Sequence, residues 1–152
     1  MPIRILAIGK KHESWVHDGI ARYQQRLKAP FTVDWHLLSH SSREGDEARK
    51  EESGRLLDKI NPEDYVILLD ERGINLDSPS LSSYLLSPLQ RSQTVVIIIG
   101  GAYGVDESVH KRANLIWSLS KLVFPHQLVR LILAEQIYRA QAIASGSPYH
   151  HE

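Results

Sequence analysis

The 152-residue chain has no cysteine, which excludes disulfides, thiolate zinc sites, iron–sulfur clusters and cysteine nucleophiles. Long apolar runs are also missing. The longest, such as Val95 to Ile99 and Leu131 to Ala134, fall far short of the roughly 20 residues that span a bilayer. Met1-Pro2-Ile3-Arg4 leads straight into an apolar strand pattern without a small-residue cleavage site, so no signal peptide is expected. Net charge is absent, with 18 basic against 18 acidic residues, which counts mildly against a nucleic-acid partner. The distribution is uneven: six basic and two acidic residues in 1–30, five and eight in 43–64, five and three in 106–139. Two basic ends around an acidic middle can still form one positive surface. At 42% hydrophobic and 24% charged, residues 1–152 read as one soluble, intracellular domain with a single core.

Several chemical signatures are missing as well. No glycine-rich loop ends in Gly-Lys-Ser/Thr, and Gly9 after the first strand is followed by Lys10 and Lys11 rather than by more glycines. The second strand ends in Leu38-Ser39-His40, without the acidic residue of a dinucleotide site. No Gly-x-Ser-x-Gly elbow occurs, so a serine hydrolase has no support. Eight histidines are present, but none are paired at ligand spacing, so no metal is expected.

What is present alternates between strand and helix. Ile3 to Ile8, Phe31 to Leu38, Tyr65 to Leu69, Thr94 to Ile99 and Leu115 to Leu119 read as strands. Between them, Val16, Ile20, Tyr23 and Leu27 mark one helical stripe, and Ala48, Leu56 and Ile60 mark a second that Asn61-Pro62 stops. Ser78-Pro79 opens a third helix, with serine as its cap and Leu81, Tyr84, Leu85 and Leu89 as its buried face. A short helix covers Asp106 to Asn114, and a long one runs from His126 to about Ser145, closed by Gly146. Buried β-branched strands separated by helices predict an α/β fold with a parallel sheet covered on both faces. Ligands in such sheets sit beyond the strands' carboxyl ends, here the loops after Leu69, Ile99 and Leu119.

The last helix carries two apolar stripes: Val129, Leu133, Ile137, Ala140 and Ala144, and on the far side Leu128, Leu131, Ile132, Tyr138 and Ala142. That pattern fits either a central core helix or one packed against another subunit. Gly100-Gly101-Ala102-Tyr103-Gly104 is either a pocket wall that a ligand approaches closely or a plain tight turn. Asp70-Glu71-Arg72 reads as a solvated loop. Glu135 and Arg139, four residues apart, read as an intrahelical ion pair.

The loop residues point further. Ile99-Gly100-Gly101-Ala102-Tyr103-Gly104, the run Leu119 to Arg130 with Phe124-Pro125-His126, Ala134-Glu135-Gln136-Ile137-Tyr138-Arg139-Ala140 and the terminal Pro148-Tyr149-His150 together resemble the small SPOUT-class methyltransferases of bacterial ribosomes. Those enzymes N3-methylate a pseudouridine of 23S ribosomal RNA in an intersubunit-bridge stem-loop of the assembled 70S ribosome. The resemblance covers essentially the whole chain, including Ile5 to Lys10, while residues 39–62 match only in character. It implies a trefoil-knotted α/β domain, an S-adenosylmethionine site lined by Leu69, Gly100, Leu119, Ser120, Lys121, Leu122, Val123 and Phe124, and a cytoplasmic homodimer joined through the last helix.

If that resemblance holds, the methyl group arrives activated on a sulfonium, and the chemistry calls for no metal. The imide nitrogen of pseudouridine is protonated at neutral pH, so a general base helps. His126, Tyr149 and His150 are the candidates. Arg130 and Arg139 are the expected forks for phosphate or base carbonyls. Lys10, Lys11, Arg22 and Arg26 either grip RNA or form ordinary solvated surface. Two other readings stand beside this one: a non-catalytic RNA-binding module on the same fold, and a flavodoxin-like protein holding a phosphate at the Gly100 loop.

Overall fold

The computed structural model describes residues 2–151; Met1 and Glu152 lie outside it. The elements run β1 (Ile3–Ile8), α1 (Ser14–Gln24), β2 (Val33–Leu38), α2 (Gly45–Leu57), β3 (Tyr65–Asn75), α3 (Ser78–Gln90), β4 (Val95–Ile99), α4 (Glu107–Arg112), β5 (Leu115–Ser118) and α5 (His126–Ser145). The sheet order is β2-β1-β4-β3-β5, and every neighbouring pair is parallel. This is the covered parallel sheet that the strand–helix alternation predicts.

Alternation along each strand separates two cores. Ile3, Ile5 and Ala7 face one layer with Leu81, Leu85, Leu89, Leu133, Ile137 and Ala140. Leu6 and Ile8 face the other with Leu56, Val105 and Val109. α5 lies in the first layer and packs against both α1 and α3. Its bounds match the sequence reading because both ends carry local signals: Pro125 before the first turn, and Gly146 in the left-handed conformation (φ 73°) after the last.

The two stripes of α5 do not divide as the sequence divides them. Leu133, Ile137 and Ala140 are buried, but Ala144 is exposed. On the other stripe, Ala142 is buried and Leu131 packs onto Gly19 of α1, where an added Cβ would lie 2.7 Å from its Cδ1. Much of the second stripe is therefore taken up inside the subunit, leaving Leu128, Ile132 and Tyr138 partly exposed.

Three other expectations change. The α3 cap is Asp77, not Ser78: its Oδ1 accepts the Ser80 N–H at 2.8 Å, and the shorter reach of serine one residue later is not needed. Tyr84 lies on the outer face of α3, 39% exposed. β3 also does not stop at Leu69. Residues 70–73 bulge out, and the strand resumes pairing with β5 at Ile74↔Trp117 and Asn75↔Ser118. Gly73 makes this possible, since a Cβ there would sit 2.4 Å from the carbonyl oxygen of Ile116. Gly73→Ala is thus expected to force the two strands apart, destabilising the protein by about 2–4 kcal/mol in chemical denaturation. A denaturation midpoint equal to that of the unchanged chain would show that the strands yield freely.

No helix among the described residues is long and apolar enough to cross a membrane.

Candidate functional site

The carboxyl ends of β3, β4 and β5 enclose a cleft of about 270 Å³. Its walls are Leu69 to Glu71, Ile99 to Ala102 with Gly104 and Val105, and the segment Trp117 to Ser120 with Leu122, Val123, Phe124, His126 and Val129. Seven of the eight residues expected around the cofactor meet here: Leu69, Gly100, Leu119, Ser120, Leu122, Val123 and Phe124. Lys121 does not; it is exposed and outside the lining. Local hydrogen bonds shape the β5–α5 loop, with Ser118 Oγ donating to the Ser120 carbonyl at 2.9 Å and Ser120 Oγ accepting the Leu122 N–H at 3.0 Å.

Gly100 serves the cleft differently from expectation. A Cβ on it would meet Val105 Cγ1 at 3.0 Å and the Gly104 carbonyl carbon at 3.4 Å. Its missing side chain lets the glycine loop fold on itself, and its backbone forms the wall. The positive φ belongs to Gly104, at 74°.

Asp70, read from sequence as a solvated-loop residue, is a half-buried cleft residue. It accepts the Arg72 N–H at 2.8 Å and Nε–H at 3.2 Å, and pairs with His110 Nε2 at 3.4 Å. Burial pushes its carboxyl up, but the Arg72 hydrogen bonds and charge outweigh this and hold it below the ordinary value. Asp70 and Glu71 are the acidic lining groups, and no lysine or arginine among the described residues lines the cleft. Such a wall repels phosphate, which removes the support for a phosphate-binding reading of the glycine loop.

The five candidate catalytic residues separate into three places. His126, at the first turn of α5, lines the cleft. Burial lowers its pKa, and the charge of Arg130 lowers it further, so its imidazole is neutral at physiological pH.

Arg130 is not an open fork. It is 1% exposed, and its guanidinium donates to the carbonyls of Ile8 and Gly9 at 3.1 Å each and of Lys11 at 3.0 Å. It also contacts His12 Nδ1 at 3.3 Å, and burial together with the Arg130 charge lowers the pKa of His12. Arg130 therefore ties the start of α5 to the end of β1 and cannot receive a phosphate.

Arg139, Tyr149 and His150 come together around Glu135. One carboxylate oxygen of Glu135 accepts from Arg139 Nη2 at 2.9 Å, Arg139 Nε at 3.2 Å and the Tyr149 hydroxyl at 2.9 Å. Its other oxygen accepts from Gln136, which in turn accepts from Ser78. Arg139 Nη1 lies 3.0 Å from His150 Nδ1 and its guanidinium stacks 4.9 Å over the Tyr149 ring. Tyr149 also meets Tyr138 edge-on at 4.7 Å. The terminal segment is thus docked on α5. Burial, then the Glu135 hydrogen bond and charge, push the Tyr149 pKa to about 12. Tyr149 keeps its proton and is a donor, not a base.

A groove lined by Leu76, Ile132, Gln136, His150 and His151 adjoins this cluster and shares Trp117, Leu119 and Phe124 with the cleft. The cluster and the cleft are two sides of one wall. Lys10, Lys11, Arg22 and Arg26 are all exposed, with Arg26 lying 6.0 Å over the Tyr138 ring. Among the described residues no group of three or more His, Asp or Glu side chains is arranged to hold a metal ion.

Sequence reading missed Glu52. It is 4% exposed, with one oxygen on the Ser41 N–H at 2.9 Å and the other without a partner behind Gly101. The signal was available: Glu52 occupies the middle of the buried 48–52–56 stripe of α2, where a charge is out of place.

A parallel α/β sheet whose glycine loop and β5–α5 loop close one acidic, apolar-walled cleft defines an α/β enzyme that takes a cationic, partly apolar ligand at its strand ends. Residues 1–150 match the family model described as "Predicted SPOUT methyltransferase", and the chain belongs to that family. Among its relatives, the protein named ribosomal RNA large subunit methyltransferase H from Desulfitobacterium hafniense is 40% identical, over 99% of both chains. The proteins of the same name from Streptococcus sanguinis (37%, 99% of both chains) and Thioalkalivibrio sulfidiphilus (36%, 100% of both) are similar over their full length too. A solved methylase family protein from Neisseria gonorrhoeae shares the fold, with a TM-score of 0.53 over 99% of this chain and 85% of its own at 15% identity. The family's methyl donor is S-adenosylmethionine. The apolar walls and the carboxylates Asp70 and Glu71 suit a cofactor with an aromatic base and a positive sulfur.

Proposed function

We propose that residues 1–152 act as one cytoplasmic SPOUT domain that N3-methylates a pseudouridine of 23S ribosomal RNA within assembled 70S ribosomes. The observation that carries this reading is the shared wall of Trp117, Leu119 and Phe124, with the cofactor cleft on one side and, on the other, a groove lined by His150, which Arg139 contacts beside the Glu135–Tyr149 pair. Leu69, Gly100, Leu119, Ser120, Leu122, Val123 and Phe124 hold the cofactor, with Lys121 beside the entrance. When bound, S-adenosylmethionine supplies a methyl group already activated by its positive sulfur. His126, neutral and at the cleft, takes the proton that the imide nitrogen releases as it gains the methyl group. Arg139 donates to a carbonyl oxygen of the base, and the Tyr149 ring, held by its hydroxyl on Glu135, stacks on it. In this arrangement His150, whose Nδ1 faces Arg139, presents Nε2–H as a further donor.

Transfer of a methyl group from labelled S-adenosylmethionine to 70S particles, with the modified position mapped by mass spectrometry, tests the reading. Methylation at any other atom, or none at all, would overturn it. Because burial and then the Arg130 charge lower the His126 pKa, the imidazole protonates at a lower pH than an ordinary histidine, so the acid limb of kcat/KM should be shifted down from the usual histidine range. His126→Asn should remove the limb; an unchanged profile in that variant would exclude His126 as the base.

We further propose a homodimer joined through α5. Ile132 and Leu128 remain partly exposed on its outer side, and Leu122 and Val123 are 70% and 80% exposed nearby. Ile132→Glu should give a monomer in light scattering at micromolar concentration, because an unpaired charge in an apolar interface costs several kcal/mol. An unchanged protein that is itself monomeric would rule the dimer out.

A further inference from the structure

Among the buried charged residues that the catalytic reading leaves unused, Glu52 is the one that stands directly behind the cleft wall. Its neighbour Glu51 takes both nearby arginines, Arg43 at 3.4 Å and Arg55 at 2.6 Å, and Glu52 joins neither pair. Oε2 accepts the Ser41 N–H, while Oε1 is buried with no donor among the described residues. A Cβ on Gly101 would lie 2.5 Å from Oε1, so this oxygen sits directly behind the Gly101 backbone. The same Gly101 forms part of the cleft wall. Leaving a buried carboxylate oxygen unpaired is costly, and an apolar residue on the same α2 stripe would avoid that cost. What the charge can do is set a negative potential in the cleft through a single layer of backbone, adding to that of Asp70 and Glu71.

We propose that Glu52 makes this cleft prefer the cationic cofactor over its neutral product, its buried carboxylate behind Gly101 favouring the sulfonium and not the thioether. The inference rests on the assignment of the cleft to S-adenosylmethionine. Methyl transfer removes the positive charge from sulfur, so a fixed negative charge nearby distinguishes the two forms without touching either. Arg130 opposes it at His126, where its charge outweighs that of Glu52, but behind Gly101 the nearest heavy atoms are Oε1 and Cδ of Glu52 and a methyl of Ile8, so there the carboxylate is the nearer charge. Unit charges separated by one layer of backbone at the edge of a partly solvated cleft interact strongly enough for roughly a fivefold difference in binding.

Because the attraction is to the ground-state charge, which fades during transfer, it lowers the cofactor KM and does not raise kcat. Glu52 is on this account a specificity residue and not a catalytic one.

Calorimetry with S-adenosylmethionine and with S-adenosylhomocysteine, on the full-length protein, tests this. Glu52→Gln, which keeps the shape, should weaken the first relative to the second by about fivefold. Glu52→Met, neutral and without an amide to satisfy, should do the same. Glu52→Asp keeps the charge and should hold the ratio within about twofold. Single-turnover methylation at saturating cofactor should be unchanged in Glu52→Asp and unchanged or up to about twofold faster in the two neutral variants. An unaltered ratio in the neutral variants, or an equal change in Glu52→Asp, overturns the proposal. So does a large loss of the single-turnover rate, which would place Glu52 in the chemistry. Failure of both neutral variants to fold while Glu52→Asp folds would assign the charge to stability and overturn it too. If the unchanged protein gives no heat with S-adenosylmethionine, it is the assignment of the cleft that fails, and the inference falls with it.

Discussion

Deletion of residues 149–152 is expected to lower methylation of 70S ribosomes by about 10²–10⁴ while leaving S-adenosylmethionine affinity nearly unchanged. The segment adds nothing to the walls of the cofactor cleft, but it closes the groove on the other side of Trp117, Leu119 and Phe124. Its removal strips Tyr149 from Glu135 and His150 from Arg139, leaving Arg139 paired only within its own helix. Donors and a stacking ring for the target base are lost together, and groups acting as a unit are lost non-additively. Glu152 lies outside the described residues; Tyr149 and His150 carry the expected loss. Tyr149→Phe separates the parts, since it keeps the ring and removes the hydroxyl that holds Glu135. Calorimetry and a transfer assay on the same preparation make the check. Full activity of the truncated protein would exclude the segment from catalysis. With so little surface to read sequence, the enzyme should also act poorly on naked 23S RNA or an isolated stem-loop. Efficient methylation of either would show that the shape of the assembled particle is not what it recognises.

Arg130→Ala is expected to fail through stability and not through chemistry. The side chain satisfies the carbonyls of Ile8, Gly9 and Lys11, and its bonds to the first two are buried, so its removal leaves those oxygens without their donor. The loss should be about 3–5 kcal/mol, or roughly 10 °C in Tm for a chain of this size. Arg130→Lys should recover only part of it, because one ammonium cannot span three carbonyls. Thermal and chemical denaturation decide the point. A variant with unchanged stability and lost activity would return Arg130 to the active site.

The two cases show where the sequence was legible. Strand positions, the parallel sheet and the bounds of α5 follow from periodicity, Asn61-Pro62, Pro125 and Gly146, all signals carried by residues close together in the chain. The position of the cleft followed as well, because strand-end loops in a parallel sheet converge wherever the strand order places them. The family resemblance named most of the lining residues but read Arg130 as a ligand fork. Charge and chain position cannot say whether a guanidinium faces solvent or backbone.

The sequence by itself therefore determined the elements, their order and the loops that line the cleft. Only the tertiary structure decided which charged groups are free to act. Arg130 meets Ile8 across 122 residues, Glu52 lies behind Gly101, and Asp70 stands in the cleft because β3 resumes its pairing beyond a bulge. Tyr149 holds its proton because packing buries its hydroxyl and Glu135, fourteen residues earlier, accepts its hydrogen bond. Hydrophobic periodicity is written into every local window of the chain, whereas the partner of a buried polar group is fixed only when distant segments pack and water is excluded between them.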